Sequence, residues 1–169
     1  MYDHRTMTIA PARLFAALLC SAAFSAQAQS TPAANFTDMW WNPAESGWGV
    51  SFAQHAATNQ VFAVWYTYDP REQGAGGQDK PIWIVMPGGT WTSTNSITGT
   101  VYVATGLPFN QSGSSPRNNP VGSFTFTFTN ANNGVFSYNI APPPGLAPSD
   151  PAYNLPSMSG AKNITRQSF

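Results

Sequence analysis

Alternation of apolar and polar side chains recurs along most of the chain and predicts β-strands. In the segment 123–129, phenylalanine at every second position alternates with serine and threonine, which is typical of a strand with one buried and one wet face. A second strand is predicted at 135–140. The intervening segment 130–134 ends in Asn-Gly and favours a hairpin, because both residues tolerate positive φ. No segment after residue 28 has a helical period over a useful length.

Six further strands are predicted between stretches rich in Gly, Pro, Asn and Ser: 36–42, 47–55, 60–69, 81–86, 96–105 and 161–169. About eight strands joined in sequence form a meander, and closure into an up-and-down barrel removes its exposed edges. The predicted fold class is therefore all-β, a single-domain antiparallel meander of about eight strands closed into a barrel, with a β-sandwich as the alternative. Two strands, 61–66 and 82–86, are apolar on both faces, so part of the sheet is covered on both sides or faces a pocket.

The connections between strands differ in length, and in a closed meander alternate connections lie at the same end. The shorter connections are 56–59, 87–95 and 130–133. The long connections are 70–80, 106–120 and 141–160. The long ones share an end with the turn 43–46, and we call this the loop end. Since long loops on a rigid sheet commonly carry binding residues, we expect a site there.

The N-terminal residues have the features of a signal peptide. Basic residues precede an apolar run at 14–24, and Ala26-Gln27-Ala28 fits the small-x-small pattern of a signal-peptidase site. The run is shorter than the ~20 residues that span a bilayer. We therefore expect residues 1–28 to be cleaved and 29–169 to form one exported domain, periplasmic or extracellular. Because Cys20 lies in the leader, that domain folds without a disulfide.

Composition excludes several classes of partner. Seven basic side chains balance seven acidic ones and only 8% of residues are charged, so no electrostatic footprint for nucleic acid is present. After the leader, His55 is the only histidine and no cysteine remains, which leaves too few ligands for a transition-metal site. We expect no cofactor and no nucleic-acid partner.

The least random segment is 39–50, which has three tryptophans within nine residues and a glycine on each side of the third. Asn42-Pro43 fits the start of a turn, and Gly47 and Gly49 fit positive φ or a close backbone approach. Glu45 is expected to accept backbone N–H bonds across the turn. In a purely structural interpretation, these residues only shape the turn and the tryptophans belong to the core.

This Trp-Trp-Asn-Pro-x-Glu-Ser-Gly-Trp-Gly signature, together with the segments 64–69, 80–83, 98–102 and 164–169, resembles a group of small exported proteobacterial proteins. The similarity covers nearly all of the chain after the leader. It implies an exported protein and points to no particular activity. The segments 72–78 and 142–156 look like insertions relative to that group, so a function carried by these loops would be peculiar to this chain.

The functional interpretation is binding at the loop end. Aromatic residues of the signature and of neighbouring strands are predicted to form a concavity there: Trp40, Trp41, Trp48, Trp65, Tyr66 and Trp83. Sugar rings and flat apolar ligands stack on such side chains. Glu45 and Asp69 complete the candidate binding residues of a non-catalytic module for a carbohydrate or a small amphipathic molecule. Alternation places Trp40 and Trp41 on opposite faces, so at most one of the two faces the interior.

Two alternatives remain open at this point. Small outer-membrane barrels also have about eight strands, long loops at one end and aromatic girdles, although residues 161–169 form no lipid-facing row. Glu45, Asp69 and Asp79 are predicted at one end, and two carboxyls about 5–10 Å apart could hydrolyse a glycosidic bond. A Ser46–His55 dyad is excluded, because about 30 Å of extended strand separates the two residues.

Overall fold

The computed structural model describes residues 30–71, 80–113 and 119–168, so the predicted signal peptide and Asp79 lie outside the described residues. Within those ranges the chain forms nine strands: β1 Asp38–Trp41, β2 Gly49–Gln54, β3 Val61–Tyr68, β4 Pro81–Met86, β5 Thr90–Trp91, β6 Ser96–Val103, β7 Pro120–Phe128, β8 Asn133–Ile140 and β9 Met158–Arg166. In this part of the chain, no helix has the length and apolar character needed to cross a membrane.

Eight of the strands close into an antiparallel barrel, as predicted. Spatial neighbours are sequence neighbours from β1 to β4 and from β6 to β9, and the ring closes where β9 pairs with β1 and β4 pairs with β6. The predicted hairpin joins β7 to β8 through a register that ends at Phe128↔Gly134. The architecture is therefore the closed up-and-down barrel and not the alternative sandwich.

β4 and β5 are two pieces of one interrupted strand, which the sequence analysis had divided into a strand and a plain connection. β4 pairs with the C-terminal half of β6, and β5 pairs with its N-terminal half. Between them, the segment 87–89 dips towards the interior at Gly99, where a Cβ atom would collide with the Gly88 carbonyl oxygen. The dip leaves a depression in the outer wall of the barrel.

Apolar side chains fill the barrel interior. The largest fully buried ones are aromatic for the most part, and they include Trp40, Trp91, Phe52, Phe124, Phe126, Phe128 and Phe136. Phe126 and Phe136, on neighbouring strands, stack with ring centroids 5.0 Å apart. An eight-stranded barrel has an interior just wide enough for side chains to fill it. The inside of this barrel is accordingly a packed core.

The outer wall is polar on one side and aromatic on the other. On β7, β8 and β9 the outward positions are mostly Ser, Thr and Asn, among them Ser123, Thr125, Thr127, Ser137, Asn139, Ser159, Asn163 and Thr165. On β3 and β4 the outward positions include Phe62, Tyr66, Tyr68 and Trp83, which are 37–54% exposed. The two strands predicted to be apolar on both faces thus have one face in the core and one face on this exposed surface.

The long β8–β9 connection, residues 141–157, folds over the loop end of the barrel, and we call it the capping loop. Its Ala152 and Leu155 are buried members of the core, and Leu146 packs against that core. Three apolar anchors therefore seat the capping loop on the barrel mouth. The capping loop therefore covers the barrel interior at the end where the sequence analysis expected a concavity.

Candidate functional site

The structure divides the predicted aromatic site residues between the two faces of the barrel wall. Trp40, Trp48 and Trp65 face inward, whereas Trp41, Tyr66 and Trp83 face outward. Trp40 and Trp41 point to opposite faces, as alternation predicted. The six aromatic residues do not form one concavity, because residues adjacent in a strand point to opposite faces.

Two of the inward tryptophans are core residues. Trp40 is fully buried, and its indole Nε1 donates to the Phe36 carbonyl oxygen at 3.0 Å. Trp65 is 7% exposed and packs on Tyr138, with ring centroids 4.8 Å apart. Its Nε1 has no hydrogen-bond partner among the described residues. For Trp40 and Trp65, the geometry corresponds to the structural interpretation of the signature tryptophans.

Glu45 is the centre of a polar cluster at the rim of the barrel. Its Oε1 accepts from Asn42 Nδ2 at 3.0 Å, and its Oε2 accepts from Trp48 Nε1 at 3.1 Å and from Lys162 Nζ at 2.5 Å. The Lys162 ammonium also lies over the Trp48 ring, 5.9 Å from its centroid. Sequence reasoning expected Glu45 to accept backbone N–H groups, but among the described residues its carboxylate accepts hydrogen bonds from side chains.

Within this cluster, Glu45 and Lys162 each stabilise the charged form of the other. The hydrogen bond from Lys162 lowers the pKa of the Glu45 carboxyl, and the bonds from Trp48 and Asn42 act in the same direction. The bond to Glu45 in turn raises the pKa of the Lys162 ammonium. Because Lys162 comes from β9 and Glu45 from the β1–β2 turn, the ion pair fixes the signature turn against the barrel.

The carboxylate of Asp69 forms an ion pair with Arg71. The guanidinium donates to both carboxylate oxygens, with Nε at 2.8 Å from Oδ1 and Nη2 at 2.6 Å from Oδ2. This hydrogen bonding lowers the pKa of Asp69. Arg71 Nη1 then donates to the carbonyl oxygens of Pro151 and Tyr153 in the capping loop, at 2.8 and 2.9 Å. Asp69 therefore positions the arginine that ties down the capping loop.

A groove on the outer wall near the loop end brings three of the predicted residues together. It has a volume of about 240 Å³. Its lining consists of Gly47, Trp48, Gly49, Tyr66, Thr67, Tyr68, Pro81 and Trp83. We call it the aromatic groove. Tyr66 and Trp83 were predicted, and so was Trp48, which borders the groove although its ring packs inward against Phe136. Tyr68 was missed, although its spacing of two from Tyr66 puts it on the same face.

The two glycines of the signature open this groove. Gly49 pairs with Tyr66 across the strands and leaves the space beside that ring unfilled. Gly47 has φ of +89°, and a Cβ atom there would lie 3.3 Å from Tyr68 Cε2. Tyr66 and Trp83 meet edge to face across β3 and β4, with centroids 6.0 Å apart. The signature thus supplies the floor of the groove, and β3 and β4 supply its aromatic walls.

No group of three or more His, Cys, Asp or Glu side chains within the described ranges could hold a metal ion. No protein-family model matches the chain, and comparisons with curated proteins and with solved structures find no match either. The functional assignment therefore depends on the geometry of the aromatic groove and its surroundings.

Proposed function

We propose that this protein is an exported, non-catalytic binding module that holds a carbohydrate ring in the aromatic groove. The observation that carries the proposal is a glycine-floored groove whose walls are the exposed rings of Tyr66, Tyr68 and Trp83. Exposed aromatic side chains grouped around a depression are typical of binding surfaces. Export is inferred from the signal-peptide pattern predicted for residues 1–28.

The chemistry of the groove favours a neutral ring over a charged ligand. Its described lining contains aromatic, glycine, proline and threonine residues and no charged side chain. A volume of about 240 Å³ is smaller than a typical pocket for a drug-sized molecule, so it suits a single ring. One apolar face of a sugar ring can stack on Tyr or Trp while its hydroxyl groups remain hydrated.

The hydrolase alternative finds little support in the described acids of the loop end. A glycosidase needs one carboxyl with a raised pKa to protonate the leaving group. The pKa of Glu45 and the pKa of Asp69 are both lowered, and each carboxylate is bonded to a cation. Asp79 lies outside the described residues.

The pattern of inward and outward residues also bears on the outer-membrane alternative. Transmembrane barrels have a lipid-facing apolar band and a polar interior. Here the interior is aromatic, and the outward positions of β7, β8 and β9 are mostly Ser, Thr and Asn. This distribution favours a barrel whose outer wall contacts water over at least these three strands.

Substitutions in the groove test the proposal. Trp83→Ala and Tyr66→Ala remove one ring each, and we expect each to weaken carbohydrate binding about tenfold, because a nucleobase stacked on one aromatic ring gains about 1–3 kcal/mol and a sugar ring is expected to gain a comparable amount. Phe62→Ala is the matched control, since Phe62 is an outward aromatic residue of β3 that does not line the groove. Glycan-array screening followed by calorimetry measures the affinities.

Gly49→Ala tests the groove without removing a ring. The added Cβ atom would lie 3.5 Å from the Trp40 carbonyl oxygen, which is an ordinary contact, so the fold is expected to persist. The methyl group narrows the floor and should reduce affinity. Equal binding by wild type, Trp83→Ala and Gly49→Ala would contradict the proposal.

A further inference from the structure

A second depression lies on the outer wall where β4 and β5 are interrupted. It has a volume of about 600 Å³. Its lining consists of Pro87, Gly88, Gly89, Thr90, Thr98, Gly99, Thr100, Tyr102 and Ser123. We call it the hydroxyl groove. As in the aromatic groove, the described lining contains no charged side chain.

The hydroxyl groove has polar groups that the fold leaves available. The Thr98 hydroxyl is engaged, since it donates to the Phe124 carbonyl oxygen at 3.0 Å. The hydroxyls of Thr100 and Ser123 have no hydrogen-bond partner among the described residues. They lie side by side, because Thr100 pairs with Ser123 across β6 and β7. This pair can donate hydrogen bonds to a ligand and accept them from it.

The two grooves are neighbours on the same face of the barrel wall. Val85 pairs with Tyr102 across β4 and β6, and Trp83 precedes Val85 by two residues on the same face. Trp83 of the aromatic groove and Tyr102 of the hydroxyl groove are therefore diagonal cross-strand neighbours, with Cβ atoms about 7–8 Å apart. Trp83 lies opposite Ala104 and Thr90 lies opposite Thr98, so about six residues of extended chain along β6 separate the two positions, a span of roughly 20 Å.

We propose that the two grooves form one path for a linear, neutral polysaccharide chain. The aromatic groove would stack one ring, Trp83 and Tyr102 would support the next, and the hydroxyl groove would hydrogen-bond the rings beyond. A span of roughly 20 Å suits about four pyranose rings and is too long for a disaccharide. This inference rests on the proposed function and specifies the class and length of its ligand.

Charge and topology argue for this occupant. An acidic polymer needs basic side chains, and neither described lining contains one. An extended peptide would add to a free sheet edge, but closure of the ring pairs β4 with β6, and β5, which pairs with β6 alone, is only two residues long and offers too short an edge for such a peptide. A neutral chain with many hydroxyl groups and flat apolar faces matches what the two grooves offer.

The experiment measures affinity against chain length. Calorimetry is performed on residues 29–169 with β-1,4-linked N-acetylglucosamine oligomers and β-1,4-linked glucose oligomers of one to six rings. We expect affinity in at least one series to rise at least tenfold between two and four rings and then to level off. The levelling-off length reports the number of rings held by the two grooves.

Gly88→Phe separates the two grooves. A Cβ atom at Gly88 meets no atom within 4 Å, so a large side chain can enter the hydroxyl groove without displacing the fold. We expect this variant to bind two-ring oligomers as wild type does and four-ring oligomers only as tightly as two-ring ones. Asn163→Phe is the matched control, because it adds the same ring at an exposed outward position of β9.

The outcomes distinguish this inference from the proposed function. If one-ring and four-ring oligomers bind equally, and Gly88→Phe has no effect, the path is refuted while binding in the aromatic groove stands. If neither series binds at any length, both proposals are overturned. Binding that rises with length but survives Gly88→Phe also overturns the path, since the added chain then lies elsewhere.

Discussion

The indole N–H groups of Trp40 and Trp65 differ although both side chains are buried. Trp40 Nε1 donates to the Phe36 carbonyl oxygen, and the Arg166 guanidinium lies 5.0 Å from its ring centroid. Trp65 Nε1 is without a partner in the described part of the chain. A buried donor left unsatisfied destabilises the folded state by about 1–3 kcal/mol. The two residues thus contribute differently to stability at similar burial.

Replacing each tryptophan by phenylalanine exposes this difference. Trp40→Phe removes packing, a hydrogen bond and a cation–π contact, whereas Trp65→Phe removes packing together with an unpaired donor. We expect Trp40→Phe to lower the free energy of unfolding by about 1–2 kcal/mol more than Trp65→Phe. Urea denaturation followed by far-UV circular dichroism measures both. A larger loss for Trp65→Phe would show that its N–H is paired in solution.

The Glu45–Lys162 ion pair should make stability depend on pH. Because the folded-state pKa of Glu45 is below its ordinary value of 4.5, the stabilisation is present above that value and is lost as pH falls through the folded-state pKa. We expect wild type to be more stable than Glu45→Gln at pH 7, with the difference shrinking towards pH 3. Paired thermal melts of the two proteins measure it. A difference that stays constant with pH would exclude the ion pair as its cause.

At the level of elements, strand periodicity made most of the barrel predictable. Each of the eight predicted strands overlaps one observed strand of the ring. The interruption between β4 and β5 was not predictable, because Pro87 and two glycines read as a connection and only pairing with β6 shows that the strand resumes. The capping loop was recognised by its length alone. Its anchors Ala152 and Leu155 are isolated apolar residues in a Pro-rich segment and carry no period.

The site was only partly predictable, for a geometric reason. Composition drew attention to the aromatic residues, but it does not say on which face of a strand each one lies. Trp65 and Tyr66 are adjacent and cannot share a face. Strict alternation, applied along β3, would have assigned Trp65 to the core and Tyr66 to the outer wall, and it would have added Tyr68 to the candidate binding residues. The distance between the two grooves depends on the register of β4 against β6, which no local pattern encodes.

Arg71 links the β3–β4 connection to the capping loop. Arg71→Lys keeps the positive charge but loses the planar fork that reaches Asp69 and two capping-loop carbonyls together. We expect hydrogen exchange in residues 150–155 to become at least tenfold faster. Exchange in the β7–β8 hairpin, which makes none of these contacts, is the internal control. Unchanged exchange at 150–155 would show that the apolar anchors hold the loop without Arg71.

At the level of the whole molecule, the barrel closes through a short seam. β1 and β9 pair at two positions, Trp40↔Arg166 and Trp41↔Thr165, and just beyond β9 the Gln167 N–H donates to the Met39 carbonyl oxygen at 2.8 Å. The Arg166 side chain reinforces this seam. It donates to the carboxylate of Asp38 at 2.9 Å and to the carbonyl oxygens of Thr37 at 3.1 Å and Ala131 at 2.7 Å. One side chain thus joins β1, β9 and the β7–β8 turn.

Loss of Arg166 should therefore weaken closure. We expect Arg166→Ala to lower the free energy of unfolding by about 2–4 kcal/mol, since it leaves several hydrogen-bond acceptors without their donor. Arg166→Lys should recover little of this, because an ammonium cannot serve the same set of acceptors. Chemical denaturation of the three proteins measures the effect. A loss below about 1 kcal/mol would show that the backbone pairs alone hold the seam.

Along β3, the residues that build the core and the residues that face the proposed ligand alternate one by one. Ala63 and Trp65 are buried, whereas Tyr66 and Tyr68 line the aromatic groove. Ligand preference can therefore drift through substitutions at outward positions while the inward set keeps the chain folded. Single substitutions at outward positions can therefore change which ligand binds without unfolding the protein. The barrel is for this reason a scaffold on which new specificities can readily evolve.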